Sequence, residues 1–317
     1  MGEQAGNDII GGAIDRALGF TIPSRDVRGR VARLGPVIDE ILSAHAYPPA
    51  IEKVLAEALV LAALLGSTLK DDVGQLTLQA QTEAGAVSLL VADYKASPAG
   101  GALRGYVQFD ADKLAEQGSD PTLFGLFGKG YLAITIDPEA PGGAPMQRYQ
   151  GIVPLEGASL GKAAEHYFLQ SEQIPSFVQI DVRRGGSGAG CVAGGMLIQH
   201  LPEGEVGRER LHARLDHPEW EHALALAQTL APAELTDPDL GLDAVIWRLF
   251  HEEPEVRVLG SVALSRGCRC DVAHIREVLA RFPAGERGEM ADAQGNINVD
   301  CAFCSRVFPI ALGSLSN

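Results

Sequence analysis

The chain has 317 residues, 46% of them hydrophobic and 21% charged, a composition that excludes a wholly disordered polymer. That length exceeds the size at which one hydrophobic core keeps growing, so two or three structural units are expected. A formal net charge of −15 and a pI of 4.9 repel phosphate backbones and anionic lipid surfaces, which argues against nucleic acid and membranes as partners.

Met1 to Asp8 carries no basic stretch leading into an apolar one, so no secretory signal is expected. Gly2 is followed by Gly6 where a myristoylation signal wants Ser or Thr, and an untethered start is the reading. The longest apolar run, Ala58 to Leu65, is too short to span a bilayer. A cytoplasmic protein is expected. Val31, Leu34, Ile38, Ile41 and Leu42 recur at three- and four-residue spacing and predict a helix. Ile51 to Leu69, after Pro48-Pro49, predicts a second one, rich in Ala and Leu.

Strand signals follow at Gln75 to Gln81, Val87 to Ala92, Tyr106 to Phe109, Tyr131 to Ile136, Tyr149 to Leu155 and Val178 to Val182, separated by glycines and prolines. A helical period returns over Gly161 to Gln170. The elements lack the regular βαβ alternation of a parallel doubly wound sheet, so the fold class is α+β, an antiparallel-rich sheet core with packed helices. Gly185, Gly186, Gly188, Gly190, Gly194 and Gly195 match neither a dinucleotide fingerprint nor a P-loop, and Gly128-Lys129-Gly130 lacks the following Ser or Thr. Both are read as hairpin glycines and close strand packing.

From Glu203 to Arg257 there are thirteen acidic residues against five Arg and no Lys, and strand signals vanish. Leu242, Val245, Ile246, Leu249 and Phe250 make one apolar helical stripe, and Trp220, Leu224 and Ala227 make another behind Pro218. Two readings stand: ordinary surface helices packed on the core, or a marginally stable segment that can dock or be released.

Of five cysteines none lies in the first 190 residues; Cys191 stands alone, and four follow as Cys268-x-Cys270 and Cys301-x-x-Cys304. Cys191 reads as a small buried hydrophobe. In a reducing compartment paired cysteines at short spacing point to metal or redox chemistry, and two short loops joined by a longer connection are how a closed four-thiolate zinc site is built. His274 is a rival ligand, but four cysteines already complete a tetrahedron. The zinc deaminases place Pro before their Cys-x-x-Cys, where this chain has Asp300. The net charge argues against a nucleic-acid-binding ribbon.

Four thiolates around Zn²⁺ keep sulfur deprotonated, with Arg266, Arg269 and Arg306 near in sequence, and thiolate is the form that peroxide or hypochlorite converts to sulfenic acid. Each cysteine has a neighbour two or three residues away that can resolve a sulfenic acid into a disulfide, and oxidising one pair removes two ligands and releases the ion. The segment after residue 259 has few large apolar groups, so metal binding, on the order of 10–16 kcal/mol in such modules, would supply most of its folding energy. If the acidic helices dock on it, loss of metal would cost them support and expose apolar surface. No nucleophile–base pair or carboxylate dyad suggests an enzyme. The layout expected is an α+β core domain over 1–202, an acidic helical linker over 203–258 and a tetracysteine zinc module over 259–317.

The sequence resembles the 33 kDa chaperonin family, the redox-regulated heat shock protein 33. The likeness rests on the two cysteine pairs with Ile297-Asn298-Val299-Asp300 leading into Cys301-Ala302-Phe303-Cys304, on Arg28-Gly29-Arg30-Val31-Ala32-Arg33-Leu34, and on Leu69-Lys70 followed by Gly74-Gln75-Leu76-Thr77-Leu78-Gln79. Leu103-Arg104-Gly105, Tyr149-Gln150-Gly151, Glu165-His166-Tyr167-Phe168 and Ser171-Glu172-Gln173-Ile174-Pro175 extend it over about residues 20–308. Asp271 departs from the Ser more common in the family, and the tail after Phe308 is short. The resemblance implies an ATP-independent holdase in the cytoplasm, inactive while reduced with one zinc per chain. It further implies Cys268–Cys270 and Cys301–Cys304 disulfides on oxidation, zinc release, linker unfolding, a change from monomer to homodimer, and capture of unfolded or aggregating client proteins. The alternative from another class is a constitutive interaction module with a purely structural zinc site.

Overall fold

The computed structural model describes residues 14–69, 73–139, 147–185, 190–201 and 216–315. Met1 to Asp8, Lys70, Gly186, Gly188 and the acidic residues at the start of the 203–257 segment lie outside the described residues.

Gln75 to Gln81 shows how the sheet is built: Leu76, Leu78 and Ala80 are buried and the residues between them are not, the period of two of a pleated strand. Ten strands, β1 (Arg16–Ile22), β2 (Val27–Leu34), β3 (Gln75–Gln81), β4 (Val87–Ser97), β5 (Gly100–Phe109), β6 (Tyr131–Asp137), β7 (Tyr149–Pro154), β8 (Ser176–Arg184), β9 (Cys191–His200) and β10 (Arg257–Arg266), form one sheet among the described residues. Their order is β7-β6-β3-β4-β5-β10-β1-β2-β9-β8. All neighbours are antiparallel except β10 and β5, which meet in parallel at Leu264 and Gly101.

Helix α1 (Pro36–Leu42) and helix α2 (Pro49–Gly66) both open on a proline, where the missing N–H costs nothing. Helix α2 is buried on nearly every side and touches β3, β4 and β5 as well as β2, β8 and β9, so the sheet curls around it. The short helices α3 (Ala111–Ala115), α4 (Leu123–Phe127) and α5 (Leu160–Tyr167) are capped by the side chains of Asp110, Thr122 and Ser159.

The expected helix through Val31, Leu34, Ile38, Ile41 and Leu42 is corrected here. Val31 and Leu34 lie in β2, and the helix begins only at Pro36. Strand β2 has an apolar covering on both faces: Ala32 and Leu34 join the cluster around α2, and Val31 joins a second cluster on the opposite face. Two-sided burial removes the alternation that marks a strand.

That opposite face is covered by α6 (Pro218–Ala227), α7 (Pro232–Leu235) and α8 (Leu242–Phe250). Phe20, Ile22, Val27, Val31, Phe177, Met196 and Ile198 of the sheet pack against Trp220, Ala223, Leu235, Val245, Ile246 and Phe250. The whole predicted stripe from Leu242 to Phe250 is buried, as are Trp220 and Ala227. At roughly 1.5–3 kcal/mol for each large side chain removed from water, this face holds the helices firmly while it stays closed.

The adjacent glycines of β9 serve both faces. A Cβ on Gly195 would meet Val60 and Leu64 of α2, and one on Gly194 would meet the main-chain oxygen of Leu235 in α7. The reading of these glycines as close strand packing is borne out at these two positions; Gly128 and Gly130 flank the turn from α4 into β6. Strand β10 then carries the chain back through the sheet, and α9 (Val272–Ala280), α10 (Ala284–Met290) and a hairpin of β11 (Asn296–Asp300) with β12 (Val307–Ala311) follow it. Their own core is small: Leu279, Ile297, Ile310 and Leu315. Among the described residues no helix is long and apolar enough to cross a membrane.

Candidate metal centre

Two turns supply the four cysteines. Cys268 and Cys270 lie between the end of β10 and α9, whose N-terminus is capped by the Asp271 carboxylate accepting from the Ala273 N–H at 2.8 Å. Cys301 and Cys304 lie in the turn of the β11–β12 hairpin. There the N–H groups of Cys304 and Ser305 donate to the Cys301 carbonyl at 3.2 and 2.8 Å, and the Cys301 N–H donates to the Arg306 carbonyl at 3.0 Å. Ser305 takes φ 53°, the left-handed conformation that closes so tight a turn.

The four Sγ atoms all lie within 4.8 Å of one another. Cys268 is 3.0 Å from Cys270 and 3.7 Å from Cys301, and Cys270 is 3.5 Å from Cys304. A tetrahedral zinc with Zn–S bonds of about 2.3 Å sets its sulfurs about 3.8 Å apart. The separations are well beyond the ~2.05 Å of a disulfide, and all four cysteines are free. The donor set, four soft sulfurs converging from two turns, therefore fits a zinc ion. His274, the rival ligand, stands outside the cluster, with Nδ1 4.0 Å from the Glu277 carboxylate on exposed α9.

Burial opposes ionisation at Cys301, yet hydrogen bonds from Cys270 and from the backbone N–H groups of Phe303 and Cys304 bring its thiol down to about 7. Burial pushes Cys268 and Cys270 up. Cys191, by contrast, is buried in β9, and burial raises its thiol to about 11. That suits an inert packing residue.

Three contacts, none of them visible in the sequence, tie the cysteine turns to the large sheet and to the loop after α1. Phe303 lies edge-on to Tyr106 of β5, ring centroids 4.8 Å apart at 85°, under the Arg104 guanidinium at 3.8 Å. Ser305 Oγ is 3.0 Å from His45 Nδ1, just after α1. Arg269, between the first two cysteines, reaches Gln75 and lies 3.7 Å from Asp93, a buried carboxylate that also accepts from Arg104 and Thr77. Of the arginines near in sequence, Arg306 turns instead toward Phe308, 5.4 Å from its ring centre. The centre thus rests against β3, β4 and β5, whereas α6 to α8 cover the sheet's other half; the two are linked along the chain by β10.

Comparison with known proteins agrees over nearly the full length. Residues 15–311 match the family model described as Hsp33 protein. The 33 kDa chaperonin of Caulobacter vibrioides strain NA1000 / CB15N is 40% identical over 296 residues, 92% of this chain and 93% of that protein. The 33 kDa chaperonin of Yersinia pestis strain Pestoides F is 33% identical over 285 residues, 90% of this chain and 88% of that one. The crystal structure of the 33 kDa chaperonin (heat shock protein 33 homolog) from Thermotoga maritima has a TM-score of 0.73 at 22% identity and covers 95% of this chain and 96% of its own, a likeness of fold.

Proposed function

The chain belongs to the Hsp33 family, the 33 kDa chaperonins, and on that premise we propose that it is a redox-regulated, ATP-independent holdase of the cytoplasm. The supporting observation is that, among the described residues, an apolar face of the sheet is covered by the helices at 218–250, which run through a single strand, β10, into Cys268 and Cys270. In this reading 1–202 is the client-binding core, 203–258 the cover and 259–317 the switch, with β10 shared between switch and core sheet.

Zinc, one per chain, would hold Cys268, Cys270, Cys301 and Cys304 as thiolates and supply the folding energy that the small core of Leu279, Ile297, Ile310 and Leu315 does not. One thiolate attacks peroxide, whose O–O bond breaks to give a sulfenic acid and hydroxide; a neighbouring thiolate then displaces a second hydroxide from that sulfur, so each disulfide consumes one peroxide and solvent protons turn both hydroxides into water. Pairing of Cys268 with Cys270 and of Cys301 with Cys304, each within one turn, would leave no thiolate to hold a metal ion. Phe303, Ser305 and Arg269 then lose the turns that aim them at the sheet. Strand β10 loses its C-terminal anchor, and the cover above β1 and β2 opens onto a surface that takes unfolded or aggregating proteins, in a homodimer formed from the reduced monomer.

The test is zinc release measured alongside suppression of client aggregation, before and after peroxide with mild warming, in the wild type and in Cys301→Ser. Coupled release and activity in the wild type is the expected result, whereas Cys301→Ser, lacking one of the four ligands, should hold little zinc and show no further zinc-coupled gain of activity on oxidation. Zinc retained under conditions that oxidise ordinary thiolate sites, or activity equal in the reduced protein, would favour a constitutive interaction protein with a structural zinc.

A further inference from the structure

The helices at 218–250 are held by more than apolar contact. Arg33 is 2% exposed and, among the described residues, makes no ion pair; its guanidinium instead donates to three main-chain oxygens, those of Leu235 at 2.8 Å, Leu240 at 2.6 Å and Glu234 at 3.0 Å. Two of these are the last carbonyls of α7, groups that a helix end leaves without intrahelical partners and that favour a cation.

The register places Arg33 of β2 opposite Gly194 of β9, and Gly194 opposite Asp181 of β8. Each of the three addresses the same stretch of chain. Gly194 leaves the space that the Leu235 carbonyl occupies, where a Cβ would collide with it. The Asp181 carboxylate accepts from the Thr236 hydroxyl at 2.9 Å, and Thr236 is fully buried. At the margin, Arg183 donates to the Thr236 carbonyl at 2.8 Å and Gln179 to the Leu230 carbonyl at 2.9 Å.

We propose that the cross-strand row Arg33, Gly194 and Asp181 is a latch that grips the main chain of residues 230–240 and sets how firmly the helices at 218–250 cover the sheet, apart from the four cysteines. The physical reason is that a buried guanidinium is costly without partners. Closing the helices satisfies it, and opening them returns it to water, so Arg33 favours closure most when the helix end is seated against Gly194. Its functional consequence rests on the reading that the uncovered face takes clients.

The experiment uses the full chain, reduced and loaded with zinc, as Arg33→Lys, Gly194→Ala and Arg183→Gln. Lys cannot fork to three carbonyls, the alanine methyl displaces Leu235, and Arg183 is exposed enough to be removed without harm to the core. Amide hydrogen exchange over 219–250 is expected to quicken about tenfold or more in the first two and less in the third, from the loss of charge-assisted hydrogen bonds. Exchange at 301–306 and the zinc content stay at wild-type levels. Alanine also has the better strand propensity, so a melting point of the sheet that does not fall in Gly194→Ala separates latch loss from general damage.

Unchanged exchange over 219–250 in both Arg33→Lys and Gly194→Ala overturns the latch. If Arg33→Lys does not fold, the other two variants decide it on the same terms. If the helices open but aggregation is not suppressed, the latch stands and the uncovered face as client site falls.

Discussion

The Arg104 guanidinium lies 3.8 Å from the centre of the Phe303 ring, so one of the two residues between Cys301 and Cys304 is held by a strand of the large sheet. Asp93 fixes that arginine in turn, its carboxylate accepting from Arg104 Nε at 2.8 Å. The cysteine turn and the core are therefore coupled through one aromatic side chain with no role in binding metal.

Phe303→Ala should leave zinc bound but loosen this coupling. The lost cation–π and edge-on contacts are each worth about 0.5–2 kcal/mol. The module should then detach more often, and zinc release at a fixed peroxide concentration should quicken several-fold, read with a colorimetric chelator. A release rate equal to that of the wild type would show that docking of the turn does not limit oxidation.

Removal of the metal under reducing conditions should unfold residues 268–315 and spare the sheet. The module's buried apolar core amounts to Leu279, Ile297, Ile310 and Leu315, too little to offset its chain entropy without the ion. Chelation, or Cys301→Ser, should abolish amide protection in β11 and β12, while β3, β4 and β6 exchange as before. Persistent protection of the hairpin in the metal-free chain would contradict this.

The chemistry of the centre was more legible in the sequence than its setting. Cys-x-Cys and Cys-x-x-Cys announce a ligand set because ligand spacing is local, and the stripe from Leu242 to Phe250 announces a docked helix because one face alone is apolar. Strands β1 and β2 were missed for the opposite reason. Ala32 and Leu34 face α2 while Val31 faces α6 to α8 and Arg33 is itself buried, so the second half of β2 shows no solvent side, and only Arg28 and Arg30 keep an alternation too short to stand out. Gly194 and Gly195 look alike in a glycine-rich run, and only the register shows that one seats α7 and the other α2. The Phe303 and Arg33 contacts join residues roughly 200 apart, and no periodicity encodes such pairs.

The two tryptophans divide the readout of the covering helices. Trp220 is 2% exposed beneath α6 and Trp247 is 66% exposed on α8. In Trp247→Phe, emission from Trp220 alone should lie to the blue in the reduced zinc protein and move to the red on oxidation, as the indole meets water. Full zinc release with unmoved emission would mean that the cover stays shut, and the proposed path from centre to surface would be broken.

Acid should loosen the same cover through Glu253. Its side chain is 2% exposed, yet Arg25 donates to it at 2.9 Å, Ser24 at 3.2 Å, and His222 Nε2 lies 2.9 Å away. Burial alone would raise its pKa, but the bonds from Arg25, His222 and Ser24 outweigh it and hold the carboxyl below its ordinary value. A depressed folded-state value adds stability that is present above the unfolded pKa of about 4.3 and lost as pH falls through the lower folded one. Glu253→Gln removes that charge at every pH, leaving Arg25, among the described residues, the carboxylate of Glu219. In the Trp247→Phe background the variant should show a redder Trp220 emission at neutral pH, for a cost of about 1–3 kcal/mol, and a weaker further change below pH ~4.5 than its parent. Acid also protonates the thiolates that bind metal, so the difference between the two proteins, not either curve alone, carries the result. Identical pH profiles would remove Glu253 from the acid response and leave the cysteines to account for it.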